Sequence, residues 1–222
     1  MRKRISIAID GPAGAGKTTV AREVARRLGY KYIDTGAMYR AAAWKSLEIG
    51  ISVQDEAAIV KMAGEMKIDF AEGDGSRIFV DGEDMSEAIR TPEVTRLSSP
   101  ISAIPGVRRY LVAQQRQLAG SGGVVMEGRD IGSVVLPESE LKVFLTASID
   151  ERARRRCAER ESAGMPSDIE QIKREIEERD YRDSTRNDSP LTKAHGAVEI
   201  DTDCLSVEQV IQHIIELAQS KL

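Results

Sequence analysis

The sequence lacks the features that mark secreted, membrane-spanning or nucleic-acid-coating proteins. Its two cysteines, Cys157 and Cys204, stand apart and fit no CxxC or other metal spacing, so no disulfide framework or thiolate metal site is written into the chain. They are expected to be reduced, inert thiols of a cytoplasmic protein. No apolar run approaches the roughly 18–20 residues needed to cross a bilayer. The start Met1-Arg-Lys-Arg is basic, but Asp10 and Gly11 interrupt the apolar stretch Ile5–Ile9 too early for a signal peptide. Basic residues are not in excess either. With 32 Lys and Arg against 36 Asp and Glu, the net charge of −4 speaks against a sequence-blind nucleic-acid binder. A local cluster of cations could still hold a small anion. The two histidines, His195 and His213, have no partner pattern, and Trp44 and the methionines read as core. No internal repeat, low-complexity tract or linker is present, and no long apolar surface stripe argues for anything but a monomer.

What is present is an alternation of strands and helices over 222 residues, a length suited to one large domain with small insertions. Five β-rich runs, Ile5–Ile9, Lys31–Ile33, Val124–Met126, Lys142–Leu145 and Ala197–Ile200, are separated by helical stretches. That pattern predicts an α/β fold with a five-stranded parallel sheet flanked by helices. The runs end in Asp10-Gly-Pro, Asp34-Thr-Gly, Glu127-Gly-Arg-Asp, Thr146-Ala-Ser and Asp201-Thr-Asp, and ligands of open α/β sheets sit beyond such carboxyl ends. A first helix is expected from near Gly16 to Gly29, with Val20, Val24 and Leu28 on its inner face. Residues 64–90 break the rhythm: Met66–Phe70 and Arg77–Val80 read as short strands joined by Glu72-Gly-Asp-Gly-Ser, with Asp81-Gly82 as a further turn. Thr91-Pro92 reads as a helix start, and Pro100 and Pro105 are expected to interrupt the chain before a helix over about 106–119. Residues 151–186 hold ten basic and ten acidic residues, divided by Gly164-Met-Pro166 into two helices. Ion pairs at i,i+4 account for most of this segment, but Arg154-Arg155-Arg156 asks for an anion.

The strongest motif is Gly11-Pro12-Ala13-Gly14-Ala15-Gly16-Lys17-Thr18, which matches G-x-x-x-x-G-K-[ST] between an expected strand and an expected helix. Its glycines let backbone N–H groups converge on phosphates, and the helix N-terminus adds positive charge. Lys17 is placed to reach the β- and γ-phosphates, and the Thr18 hydroxyl to ligate Mg²⁺, with Thr19 completing the ATP-binding set. The motif specifies a nucleoside triphosphate without saying what becomes of it. An Asn-Lys-x-Asp base reader, as in GTPase switches, is absent, as is an apolar strand ending in paired acids. The many arginines outside the loop favour phosphoryl transfer to an anionic acceptor, where bidentate guanidinium groups neutralise charge.

Three further stretches, Asp34-Thr-Gly-Ala-Met-Tyr39-Arg40, Glu127-Gly-Arg129-Asp130 and Glu178-Arg179-Asp180-Tyr-Arg182-Asp183-Ser-Thr-Arg186, resemble the bacterial cytidylate kinases, and the resemblance runs essentially the full length. It implies a P-loop nucleoside monophosphate kinase core over 1–63 and 91–222, a β-rich nucleotide-monophosphate-binding insertion over 64–90 and a helical lid over about 152–168. The implied reaction is ATP + (d)CMP to ADP + (d)CDP with Mg²⁺. The resemblance assigns Arg40, Arg129 and Arg186 to the acceptor phosphate, and Ser99, Arg108 and Asp130 to the cytosine ring. Arg179 and Asp183 fall near the sugar, Thr35 in the acceptor pocket, and Lys17, Arg129, Arg155 and Arg186 at the reacting phosphoryl group. Arg154, Arg155 and Arg156 begin the lid, with Arg156 assigned to ATP, and Asp34 is a further metal group acting through water. A small P-loop kinase for UMP, AMP, dTMP or shikimate, or a switch ATPase without acceptor, remains open at this stage. A cytosine reader needs a carboxylate facing the exocyclic amine and a guanidinium facing N3 and O2, which uracil would leave mispaired.

Overall fold

Strands that are apolar on both faces are stable only when helices cover both sides of their sheet. The computed structural model, which describes residues 4–71, 77–162 and 164–222, has that layered arrangement. Along the chain run β1 (Ser6–Asp10), α1 (Lys17–Leu28), β2 (Lys31–Asp34), α2 (Thr35–Glu48), α3 (Glu56–Glu65), β3 (Ile68–Phe70), β4 (Ile78–Val80) and β5 (Glu83–Asp84). The second half comprises α4 (Pro92–Ser102), α5 (Pro105–Ala119), β6 (Val124–Gly128), β7 (Leu141–Thr146), α6 (Ile149–Ser162), α7 (Ile169–Thr185), β8 (Val198–Asp201) and α8 (Val207–Gln219).

The main sheet has the order β2-β6-β1-β7-β8, every pair parallel. Side chains alternate across it. Ile7, Ile9 and Val125 join a core with Val20 and Val24 of α1 and Ile211 and Ile214 of α8. Ala8, Ile33 and Met126 join the opposite core with Met38 of α2, Ile101 of α4 and Leu111 of α5. The five strands are those marked by the sequence. They extend one or two residues further into polar tips, because the hydrogen-bond ladder outlasts the apolar stretch. β1 lies at the centre; its connection runs to β2 on one side, whereas that from β6 crosses to β7 on the other, so the ligand crevice opens between the carboxyl ends of β1 and β6.

The segment after α3 forms a second, antiparallel sheet, β3-β4-β5, pairing Ile68 with Val80 and Phe70 with Ile78. Its third strand escapes sequence reading because it is two polar residues long. Asp81 (φ 53°) and Gly82 (φ 91°) both sit at positive φ, the geometry of a two-residue hairpin turn. The expected turn at 72–76 lies outside the described residues. Thr91 caps α4 with Pro92 at its first position, as expected. Pro100 does not interrupt the chain there but lies inside α4, which ends at Ser102; a proline so close to the end removes only one ladder bond. Pro105 then opens α5.

α6 and α7 pack on each other around buried Ala153, Ile172 and Ile176, with Ile149 and Cys157 at the edge, a small core separate from the other two. Most of the remaining side chains of the pair are charged or polar. Among the described residues no helix is long and apolar enough to cross a membrane.

Candidate active site

The phosphate loop needs backbone conformations that glycine alone adopts cheaply. Gly11, Gly14 and Gly16 have φ of 148°, 79° and 85°. A Cβ on Gly11 would lie 2.0 Å from the carbonyl oxygen of Leu145 in β7, so the close approach of loop and sheet is itself a requirement for glycine. Gly16 precedes α1, and Gly29 (φ 64°) ends it. Lys17 is buried and donates from Nζ to the Pro12 carbonyl at 2.6 Å, which keeps the ammonium inside the loop. Burial, reinforced by the charge of Arg129 and only partly offset by Glu127, pulls its pKa down to about 7.

Two carboxylates stand beside it at paired strand ends, Asp34 opposite Glu127. Both oxygens of Asp34 are engaged: Oδ1 caps α2 by accepting from Ala37 N (2.9 Å), and Oδ2 accepts from Arg40 (2.8 Å). Burial opposes its ionisation, but Arg40 and the Ala37 N–H outweigh burial and hold its pKa below the usual value. Glu127 is buried and accepts from the Tyr32 hydroxyl at 2.5 Å, and the nearby Thr18 side chain favours its ionised form. Burial, followed by the charge of Asp34, raises its pKa. No group of three or more His, Cys, Asp or Glu able to hold a metal occurs among the described residues. A magnesium ion that arrives with phosphates needs no such cage, only a hydroxyl and one or two carboxylates. Thr18, Glu127 and, through water, Asp34 are the groups here that fit such an ion.

Beyond β6 lies a narrow polar cleft. It is lined by Thr35, Ser99, Arg108, Arg129, Asp130, Arg179, Asp183 and Arg186, all of the acceptor residues named from the sequence except Arg40. Arg40 stands alongside, its Nη1 3.2 Å from the position a Cβ on the lining residue Gly36 would take. Arg108, 2% exposed, pairs with Asp130 and donates to the Tyr39 hydroxyl at 3.1 Å. Its Nε has no hydrogen-bond partner among the described residues, and Asp188 lies 3.9 Å away. Burial raises the pKa of Asp130, offset in part by Arg108 and Arg186. Arg186 donates to Asp130 at 3.4 Å and Arg129 to Asp183 at 2.9 Å, while Arg179 lies 3.9 Å from Asp183. Burial and then Arg129 bring the Arg179 guanidinium down to about 10; burial and then Arg108 lower that of Arg186. Cations depressed by one another's charge form a site for an anion. Lys17 is felt by both Arg129 and Arg179, so the phosphate loop and the cleft share one electrostatic site. A larger open groove of 480 Å³, between Lys45, Ile51, Lys61 and Met66, lies away from the strand ends and gathers no such set.

The arginine triplet behaves differently from expectation. Glu151 pairs with Arg154 (2.7 Å) and Arg155 (2.8 Å), and Glu159 with Arg156 (2.9 Å), so the triplet needs no bound anion. Of the three, Arg155 touches the donor side: it donates to Thr202 Oγ1 (3.0 Å) and O (2.7 Å) beyond β8, with Nη1 3.7 Å from where a Gly16 Cβ would lie. Sequence reading missed Arg152, which is buried, pairs with Asp180 of α7 and donates to the carbonyl oxygen of Ala13 at 3.1 Å. In the sequence it is one arginine among many. Arg182 also went unassigned, and it donates to Ser99 at 2.8 Å, joining α7 to α4. Glu127 had a legible signal, an acid ending the apolar strand beside β1. His195 and His213 are exposed.

Residues 7–220 match the family model described as cytidylate kinase. A cytidylate kinase of Geobacillus thermodenitrificans (strain NG80-2) is 50% identical over 223 residues, covering 100% of both chains. One of Desulfitobacterium hafniense (strain Y51) is 49% identical over 222 residues, covering 100% of this chain and 96% of the relative. Among solved structures, a shikimate kinase from Bacteroides thetaiotaomicron superposes with a TM-score of 0.52 at 16% identity, over 98% of this chain and 99% of the other, which speaks to the fold alone. Motif, cleft and near half-identical relatives over the whole length agree: this chain belongs to the cytidylate kinase family.

Proposed function

We propose that the protein transfers the γ-phosphoryl group of ATP to the 5′-phosphate of CMP or dCMP, giving ADP and the diphosphate. The observation that carries this reading is the buried Arg108–Asp130 pair, which shares one cleft with Arg129, Arg179 and Arg186, the first two of which also act on Lys17. The carboxylate of Asp130 accepts from the cytosine amine, and Arg108 donates to N3 and O2, with Ser99 beside them. Arg129 and Arg186, with Arg40, hold the acceptor phosphate, and Asp183 with Arg179 meets the sugar hydroxyls. A phosphate oxygen of CMP then attacks the γ-phosphorus in line while the bridging oxygen to the β-phosphate leaves. Lys17, Arg129, Arg186 and Arg155 offset charge on the transferring group. Thr18 and Glu127 would hold Mg²⁺, with Asp34 at most an outer group; the ion supplies charge neutralisation on the triphosphate.

The cleft, about 50 Å³, is far below the ~300 Å³ at which ligand pockets begin, so its walls must part to admit a nucleotide. Arg182 on Ser99 and Asp183 on Arg129 tie α7 to the rest, and Arg152 on the phosphate loop and Arg155 on Thr202 tie α6; polar ties of this kind suit a lid over about 152–168. The antiparallel sheet within 64–90 is the monophosphate-binding insertion of this reading. The protein acts as a cytoplasmic monomer. A coupled assay of ADP formation with CMP, dCMP, UMP and AMP tests the assignment. CMP or dCMP is expected to lead in kcat/KM, and equal turnover of AMP or UMP would remove it.

A further inference from the structure

Asp130 occupies the residue before a short π-helical turn, Ile131–Val135, where an aspartate would ordinarily fold back and cap its own turn. Its side chain makes no such bond. The cap comes from another strand. Asp10, the last residue of β1 and the neighbour of Gly128 in the sheet, accepts from Ile131 N at 2.8 Å (Oδ1) and from Gly132 N at 2.8 Å (Oδ2). The first two N–H groups of the turn are thereby satisfied by one carboxylate that is 3% exposed. Resting on the functional reading above, we infer that Asp10 is a positioning residue for the acceptor site: by capping the turn after Asp130 from β1, it releases the Asp130 carboxylate to pair with Arg108 and read the base.

The arrangement is costly, and the cost marks it as more than filler. Burial pushes the Asp10 carboxyl up to about 6 although both N–H groups favour its ionised form. The charged groups facing it are Asp130, which raises it further, and Lys17, which lowers it. Asparagine would fit the same space with a single acceptor oxygen, turning its NH₂ donor toward the second N–H group. The turn would then recruit the nearest other carboxylate, Asp130 itself.

The test is Asp10→Asn, with calorimetric affinities for CMP and ATP measured separately and CMP and UMP turnover compared. CMP affinity should fall on the order of 10- to 100-fold and CMP-over-UMP preference should fall with it, while ATP affinity changes less than about threefold. Equal losses for CMP and ATP, or no change in either, would overturn the proposal. Should the variant not fold, amide spectra of the unmodified protein decide. The Ile131 and Gly132 N–H signals should titrate together with one carboxyl near pH 6, and independent behaviour of the two overturns the contact. Failure of the unmodified protein to phosphorylate CMP would remove the functional reading, whereas the amide titration tests the cap regardless.

Discussion

Replacing Asp130 by asparagine keeps the size of the side chain and removes one charge from a buried pair. Among the described residues Arg108, 2% exposed, would keep Asp188, 3.9 Å from its Nε, as its one ion-pair partner. Breaking a buried pair from one side costs about 3–5 kcal/mol. At about 2–4 °C per kcal/mol for a chain of this size, the melting temperature should drop by roughly 6–20 °C. The low end applies if the amide oxygen still accepts from Arg108. Specificity should change in parallel. The cytosine amine loses its ionised acceptor, a loss of about 1–3 kcal/mol, or roughly 5- to 150-fold in kcat/KM for CMP. The new amide can donate to O4 of uracil, so UMP should lose little and the CMP-to-UMP ratio should collapse toward one. Thermal unfolding and a coupled ADP assay with both nucleotides read the two effects. A folded variant whose CMP-to-UMP ratio is unchanged would refute the base-reading role of this pair.

Lys17→Ala should lower kcat by about two to three orders of magnitude, as expected for removing a charge aimed at the transition state; near-normal turnover in a steady-state assay would contradict it. Because Lys17 titrates near 7 and bound phosphates favour the ammonium, ATP binding at pH 8 should take up close to one proton and at pH 6 very little. Calorimetry in buffers of different ionisation heat measures this, and buffer-independent heats at pH 8 would count against it. Glu127→Gln should raise the Mg²⁺ concentration for half-maximal activity about 10-fold or more and weaken Mg²⁺-ATP protection against thermal unfolding. An unchanged Mg²⁺ titration would return the metal role to Asp34.

The fold was legible where local chemistry and tertiary demand coincide. Gly11, Gly14 and Gly16 announce a backbone that only glycine makes cheaply, and the five apolar runs can exist only as strands covered on both faces. The acceptor residues Thr35, Ser99, Arg108, Arg129, Asp130, Arg179, Asp183 and Arg186, scattered over 150 positions, were named from a resemblance, and they do line one cleft. Periodicity alone would not have joined them. What remained hidden depends on which partner a charged residue finds. Arg152 and Arg154 are two residues apart on α6, yet one is buried against the phosphate loop and the other lies in solvent beside Glu151. Asp34 read as a metal group acting through water, and its partners, a helix N–H and Arg40, were not legible in the sequence. Asp10 read only as the residue before the loop, since its two N–H partners lie more than a hundred residues away.

Incubation with ATP labelled at the γ-phosphate, Mg²⁺ and CMP, followed by separation of the nucleotides, tests the account most directly. The label should move to CDP with little free phosphate, and omission of CMP should leave it on ATP. Release of labelled phosphate at the same rate with and without CMP, and none on CDP, would contradict the paired donor and acceptor sites described here.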